Sequence, residues 1–178
     1  MLTCVVLLSQ LAVTNAPADE YFGKLNMSAL RVRYETMQLK QRYETHHLLP
    51  EQAEHLLLLT EDSFDHWAAR YPNDPWLAST GLLLAALYAE LPGDVAREHA
   101  VRLYVYVKVH FPHSRYAAQS RASLHHGVST KADPPWAKAA RAAMPSAAPS
   151  ALPSPPAPSP SAPPSPPASP SPSPSPPR

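Results

Sequence analysis

Apolar residues with helical spacing, interrupted by an aromatic-Pro step, occur twice along this chain, about forty residues apart. The matched positions carry like residues, Phe64, Trp67, Tyr71, Trp76, Ala78 and Leu84 in the first copy and Tyr104, Val107, Phe111, Tyr116, Ala118 and Leu124 in the second. Because the residue before a proline is disfavoured in the helical region, one helix ends before each Pro and another begins after it. The pattern therefore predicts two consecutive helix–turn–helix units.

The same reading of the whole chain predicts an all-α fold of about five antiparallel helices between residues 19 and 127. The predicted bounds are 19–47, 50–70, 75–91, 94–111 and 114–126, with Pro50, Asp74-Pro75, Asp94 and Ser114 as start signals and Gly127 as a stop. Residues 101–109 also alternate between apolar and polar types, as a strand would. The Asp94 cap and the match between the two copies favour a helix there.

The predicted first helix carries two apolar stripes side by side, which indicates neighbours on more than one side. One stripe is Phe22, Leu25, Ala29, Val32, Thr36, Leu39 and Tyr43, and the other is Met27, Leu30, Tyr34 and Met37. The third helix is apolar nearly all round, so we expect it to be the most buried. The residues expected in the core are Trp67, Trp76, Leu83, Leu87, Tyr104 and Val107.

The two ends differ from the middle in composition. Residues 1–18, apolar from Leu2 to Val13 and followed by Ala16-Pro17-Ala18, are typical of a signal peptide cleaved after Ala18, although no Lys or Arg precedes the apolar run. Without such cleavage, we expect the protein in the cytoplasm. Residues 128–144 are interpreted as a linker with a brief helix over 137–144. Residues 145–178, made almost entirely of Pro, Ser and Ala, are expected to form a disordered tail with a polyproline II bias.

Composition excludes several functional classes. The formal net charge is +1, and no Lys/Arg stripe marks a nucleic-acid groove. The single cysteine, Cys4, permits neither an internal disulfide nor a cysteine zinc site. No phosphate-binding loop, nucleophile elbow or HExxH motif occurs, so we expect no cofactor and no enzymatic activity.

One pattern on the second predicted helix suits a metal. The motif acid-x-x-acid-His occurs twice, eleven residues apart and therefore close to three helical turns, which places both copies on one face. Its members are Glu51, Glu54, His55, Asp62, Asp65 and His66. Carboxylates and imidazoles at this spacing can bind a divalent transition metal. The competing interpretation is a polar outer face, and the pairs His46-His47 and His125-His126 are interpreted as charges at helix ends.

The segments 70–78 and 110–117, which contain the two aromatic-Pro turns, resemble tetratricopeptide-like repeats. They are most similar to those of bacterial outer-membrane-assembly lipoproteins, in which an aromatic-Pro turn joins successive helix pairs. The resemblance implies a concave scaffold that binds other proteins. This chain departs from that family in its longer period, its number of repeats and the lack of a lipidated cysteine. Residues 49–52 also resemble the helix-starting motif of small periplasmic stress chaperones and metal-responsive helical proteins.

These observations together predict an exported, non-enzymatic helical scaffold of the cell envelope. Its expected partner is a protein, bound in the groove between helix pairs, with no nucleic acid and no stable membrane span after processing. The alternative is a periplasmic metal-binding or stress-response helical protein that uses the acid-His motif.

Overall fold

A computed structural model describes residues 15–143 of this chain, and the apolar N-terminal run 1–14 and the Pro/Ser/Ala tail lie outside the described residues. Six helices occur in this range: α1 Ala29–Glu44, α2 Pro50–Arg70, α3 Pro75–Glu90, α4 Asp94–His110, α5 Arg115–His126 and α6 Pro135–Ala143. Residues 15–143 contain no strand, only isolated bridges between Phe22 and Met27 and between Pro92 and Lys131. The prediction of an all-α fold is confirmed, and residues 101–109 are helical.

Most of the predicted start and stop signals act where the sequence places them. The predicted Asp94 cap is wrong, because Asp94 is the first residue of α4 and the N-cap is Gly93, with φ +97° and no side-chain cap. Asp74 caps α3 by accepting a hydrogen bond from the Trp76 amide at 2.9 Å, and Ser114 caps α5 by accepting from the Ala117 amide at 3.1 Å. Gly127 follows α5 with φ +82°. Because these signals act within a few residues of the helix ends, the ends could be predicted without knowing the tertiary structure.

The two aromatic-Pro turns have nearly the same backbone geometry. Tyr71 has φ −127° and ψ 61°, and Phe111 has φ −127° and ψ 53°. In each turn the amide of the next helix's cap donates to the carbonyl of the aromatic residue, from Asp74 to Tyr71 at 3.0 Å and from Ser114 to Phe111 at 2.9 Å. The matched sequences therefore give matched turns.

Helix α3 lies at the centre of the array and contacts α1, α2, α4 and α5. It crosses its neighbours closely at Gly81, where a β-carbon would lie 3.0 Å from Val107 and 3.1 Å from Phe64. The core contains Trp67, Leu87, Tyr104 and Val107, as predicted. None of the helices within residues 15–143 is long and apolar enough to cross a membrane.

The prediction of one helix over 19–47 is wrong at its beginning. Residues 22–27 form a tight turn in which the backbones of Phe22 and Met27 exchange hydrogen bonds at 2.8 and 2.9 Å. Gly23 takes φ +66° there, and a β-carbon on it would lie 2.5 Å from the Ser63 hydroxyl, so glycine is required on both counts. The helix begins at Ala29 because Ser28 caps it, accepting from the Arg31 amide at 3.3 Å.

Two predictions about packing also need correction. Helix α1 contacts both α2 and α3 through the stripe that includes Val32 and Leu39, which we call the inner stripe. Leu30, Tyr34 and Met37, which form the outer stripe, are exposed. Trp76, expected in the core, is 49% exposed because it lies in the first turn of α3 with its indole at the surface. Leu83 is half-buried.

The region interpreted as a linker packs against the helices. The Gly93 amide donates to the Lys131 carbonyl at 3.1 Å, and Ala137 of α6 is fully buried. Trp136 stacks on His46 with ring centroids 4.3 Å apart, and Arg141 pairs with Glu51. Composition alone did not predict these contacts, because residues 128–143 are rich in Pro and Ala and contain only one short helix, α6, too short to show a long apolar stripe.

Candidate functional site

One face of the molecule, formed by α1 and the start of α3 and bordered by α5, exposes large apolar side chains. Leu30, Tyr34 and Met37 lie along α1 at intervals of four and three residues, with 72%, 53% and 51% of their surfaces exposed. Leu30 and Trp76 line a common groove, to which Ala29 and the segment 15–18 also contribute. We call the surface made by Leu30, Tyr34, Met37 and Trp76 the apolar face.

Two arginines border the apolar face, each stacked on an aromatic ring. The guanidinium of Arg33 lies 4.7 Å from the centroid of Trp76, and that of Arg115 lies 4.8 Å from the centroid of Tyr116. Arg33 Nη1 donates to Ser79 Oγ at 3.1 Å, and Arg115 Nη2 donates to the Tyr116 hydroxyl at 2.8 Å. Arg33, Trp76, Ser79 and Tyr116 line one open groove. Charge and aromatic surface thus meet beside the apolar stripe of α1.

The helices also enclose a buried polar cluster around Glu61, whose side chain is only 4% exposed. Its carboxylate accepts from the Tyr88 hydroxyl at 2.7 Å and forms an ion pair with Arg102. His99 Nδ1 lies 2.6 Å from Glu61 Oε2 without hydrogen-bond geometry, and its ring stacks on Tyr88 with centroids 5.0 Å apart. The cluster therefore joins α2, α3 and α4 at one carboxylate.

The electrostatics of this cluster fit a structural role. Burial raises the pKa of the Tyr88 phenol well above its usual range, and the adjacent charge of Glu61 acts in the same direction. The tyrosine therefore remains a neutral hydrogen-bond donor to Glu61. The Glu61 carboxylate is held by an arginine and a tyrosine, and its side chain is enclosed where α2, α3 and α4 meet.

The structure does not bring the predicted acid-His motif into a metal-binding arrangement. Within residues 15–143 no group of three His, Cys, Asp or Glu side chains lies close enough to hold a metal ion. Glu51 pairs with Arg141 at 2.7 Å and Asp65 with Arg102 at 3.0 Å. His66 Nδ1 lies 2.7 Å from the Asp62 backbone carbonyl and 3.9 Å from its carboxylate. His55 is exposed and Glu54 half-buried on the same helix.

Asp62 has a specific structural role instead. Its Oδ2 accepts a hydrogen bond from the Lys24 amide at 2.8 Å and so holds the turn at 22–27 against α2. The side chains of His46 and His47 also have partners. His46 takes φ +61° and stacks on Trp136, while His47 Nδ1 lies 2.8 Å from the Thr45 hydroxyl.

Sequence reasoning missed Glu61 and the two stacked arginines. Glu61 follows Leu57 by four residues and precedes Phe64 by three, which places a carboxylate on the buried stripe of α2. An acid on a buried stripe needs a partner, and this signal could have marked the cluster. No comparable signal marks Arg33, because the ring and the hydroxyl that it contacts belong to Trp76 and Ser79 of α3. Arg115 contacts only the ring and hydroxyl of its neighbour Tyr116, and an Arg-Tyr step is too common to mark a site.

Comparison with protein-family models, with curated proteins and with solved structures finds no significant match. The apolar face and the residues that border it are therefore interpreted from their own geometry.

Proposed function

We propose that this protein is a non-catalytic helical scaffold whose apolar face binds another protein in the cell envelope. The observation that carries the proposal is the exposure of Leu30, Tyr34 and Met37 in one continuous stripe, next to an exposed Trp76. Single exposed apolar residues are ordinary, whereas a contiguous set of large ones is typical of an interaction surface.

The composition of this face supports protein binding. Tryptophan, tyrosine, methionine and arginine are enriched at the centres of protein interfaces, and all four residue types occur here in Trp76, Tyr34, Met37 and Arg33. Burying a leucine or methionine side chain stabilises a complex by roughly 1.5–3 kcal/mol. The inner stripe of α1, which includes Val32 and Leu39, is already covered by α2 and α3. Within residues 15–143 no helix covers Leu30, Tyr34 and Met37, so a protein partner that packs on them would add burial.

Export is the second part of the proposal. It is supported by the apolar run from Leu2 to Val13 and by Ala16-Pro17-Ala18, which supply the small residues that signal peptidase prefers. Intact-mass analysis of the protein from its native host tests this part, with a mature chain beginning at Asp19 as the expected result. A chain that retains Met1 in the cytosolic fraction would contradict export.

Site-specific photo-crosslinking tests the binding face directly. A photoreactive amino acid at Met37 is expected to give a covalent adduct with one protein in the native host. The same amino acid at Val109 is the matched control, because Val109 is a 58% exposed apolar residue on α4. Adducts are resolved by mass, and the crosslinked partner is identified by peptide sequencing.

The variant Leu30→Ser with Tyr34→Ser completes this test. Both side chains are exposed, so the folded helical content measured by circular dichroism is expected to be unchanged. The adduct at Met37 is expected to disappear in this variant. An adduct that forms equally at Val109, or that survives loss of both apolar side chains, would rule out the apolar face as the binding surface.

A further inference from the structure

Five of the nine arginines within residues 15–143 form an ion pair with a carboxylate, whereas the two at the border of the apolar face do not. Arg102, Arg141 and Arg70 each pair with a carboxylate, and Arg31 pairs with Glu35 at 3.1 Å. Within residues 15–143, neither Arg33 nor Arg115 has a carboxylate within 4.0 Å, and each side chain is hydrogen-bonded to a neutral hydroxyl instead. We call these two side chains the Arg33–Arg115 pair.

Stacking prepares both guanidinium groups for a ligand. A guanidinium lying on an aromatic ring is held in one orientation, so it loses less conformational entropy when it forms further hydrogen bonds. Each group carries five N–H donors, of which one is used for Ser79 or for the Tyr116 hydroxyl. The remaining donors match the two oxygens of a carboxylate in a bidentate arrangement.

The positive charge of the two guanidinium groups also affects the ionisation of Tyr116, which lines the same groove as Arg33. The hydrogen bond from Arg115 lowers the pKa of the Tyr116 phenol, and the charge of Arg33 acts in the same direction. Both guanidinium groups therefore act on the hydroxyl of Tyr116. The nearest acid of α1 in sequence, Glu35, is occupied by Arg31 and does not neutralise them.

We propose that the Arg33–Arg115 pair binds carboxylates of an acidic segment in the protein partner, while neighbouring apolar residues of that segment cover Leu30, Tyr34 and Met37. This inference rests on the proposed function of the apolar face and names the chemistry of its partner. Charge complementarity at the edge of an apolar surface favours such a partner, because a charged pair there is partly desolvated and sets the register of binding.

Nucleic acid is a poorer fit to the same charges. A protein that makes roughly 6–10 phosphate contacts gains much of its affinity for a duplex from them, whereas this face offers two guanidinium groups on a chain of net charge +1. The large apolar stripe beside them has no counterpart in a phosphate backbone. Nucleic acid is therefore not the expected ligand, and the experiment includes an oligonucleotide to test for its binding.

The test is an NMR titration of the full-length protein with a short synthetic peptide in which glutamates flank leucines. A second peptide with glutamine in place of glutamate is the matched ligand control. We expect saturable shift changes at the Trp76 indole N–H with the acidic peptide and at least tenfold weaker binding of the neutral one, because charge-assisted bidentate contacts are lost. A single-stranded oligonucleotide that binds more tightly than the acidic peptide would overturn the proposal.

Matched charge variants separate a specific site from general attraction. Arg33→Gln with Arg115→Gln is expected to weaken binding of the acidic peptide at least tenfold. Arg42→Gln with Lys138→Gln removes the same net charge from exposed positions elsewhere and is expected to change binding less than twofold. Equal losses in the two variants would overturn the proposal, as would equal binding of both peptides to the original protein.

The Met37 crosslink distinguishes this proposal from the proposed function. If the adduct at Met37 persists in the Arg33→Gln, Arg115→Gln variant at undiminished yield, the face binds a protein but the acidic chemistry is wrong. If no adduct forms even in the original protein, the binding function itself is wrong. Reduced yield in the arginine variant together with full yield in the Arg42→Gln, Lys138→Gln variant is the expected result.

Discussion

The two helix–turn–helix units, α2 with α3 and α4 with α5, share one sequence pattern but differ in how much of it they bury. Leu84 of α3 is fully buried, whereas its counterpart Leu124 of α5 is only partly covered. The turn cap of the first unit, Asp74, is 2% exposed and accepts hydrogen bonds from the Trp67 indole and the Trp76 amide, whereas Ser114 caps its helix through one amide. A third hydrogen bond to Asp74 comes from the Ala16 amide, in the segment that the proposed export would remove.

Position in the array explains this difference. Helix α3 contacts four other helices and buries eight residues, while α5 buries only Ala117 and Ser120 fully. The local pattern therefore specifies the turn and the direction of each helix, and the neighbours decide how much each matched side chain contributes to stability. Substitutions at matched positions measure this contribution directly.

The largest effect is expected at the matched leucines. Leu84→Ala removes a fully buried side chain and is expected to lower the free energy of unfolding by about 2–5 kcal/mol. Leu124→Ala, at the partly covered position, is expected to cost less than about 1.5 kcal/mol because water and solvent-facing groups can fill the space. Urea unfolding followed by circular dichroism measures both. Equal losses would mean that the second unit is packed as tightly as the first.

A smaller effect is expected at the matched caps. Asp74→Ala removes the acceptor for the Trp67 indole, 3.1 Å away, as well as the helix cap, and is expected to cost about 2–3 kcal/mol. Ser114→Ala removes only a cap and is expected to cost about 1 kcal/mol. Thermal and urea unfolding provide the measurement. The control is Asp74→Asn, which keeps an acceptor oxygen and is expected to recover part of the loss.

These two units could be predicted from the sequence because the signals that start and end their helices act locally. A cap such as Asp74, a proline at the next position and a glycine such as Gly127 act within a few residues of themselves. The bounds of α2 were correct, and those of α3 and α4 were correct to within one residue, because a proline or glycine stands beside both ends of each helix, although Asp94 does not cap α4. The start of α1 was missed since the cap Ser28 lies inside an apolar periodicity that continues across the turn at 22–27.

The candidate site could not be predicted in the same way. The exposed stripe of α1 has the same spacing as its buried one, so the sequence cannot tell which stripe α2 and α3 cover. Trp76 was expected in the core because its type and spacing match those of core residues. The stacking of Arg33 on Trp76 joins residues 43 positions apart, from 33 to 76, and depends on how α1 crosses α3.

The smallest effect is expected at Tyr106, which lies between the two units. Its ring packs against Phe64 of the first unit at 5.6 Å and Phe111 of the second at 6.1 Å, whereas the matched residue of the first unit, His66, is exposed. Burial raises the pKa of Tyr106 to about 12, and the charge of Asp65 contributes in the same direction. An unfolded tyrosine ionises near a pKa of about 10.

The sign of the pH dependence follows from proton binding. Between about pH 10 and pH 12 the unfolded chain binds fewer protons than the folded chain, so stability is complete below pH 10 and falls as pH rises through this window. Because Tyr106 is partly exposed and its environment is screened by solvent, the loss it contributes between about pH 9 and pH 11 is expected to be below about 1 kcal/mol. Urea unfolding at the two pH values measures it, with Tyr106→Phe as the variant that lacks the ionisable group. A Tyr106→Phe protein that loses as much stability as the original over this range would show that the phenol is not held between the two units.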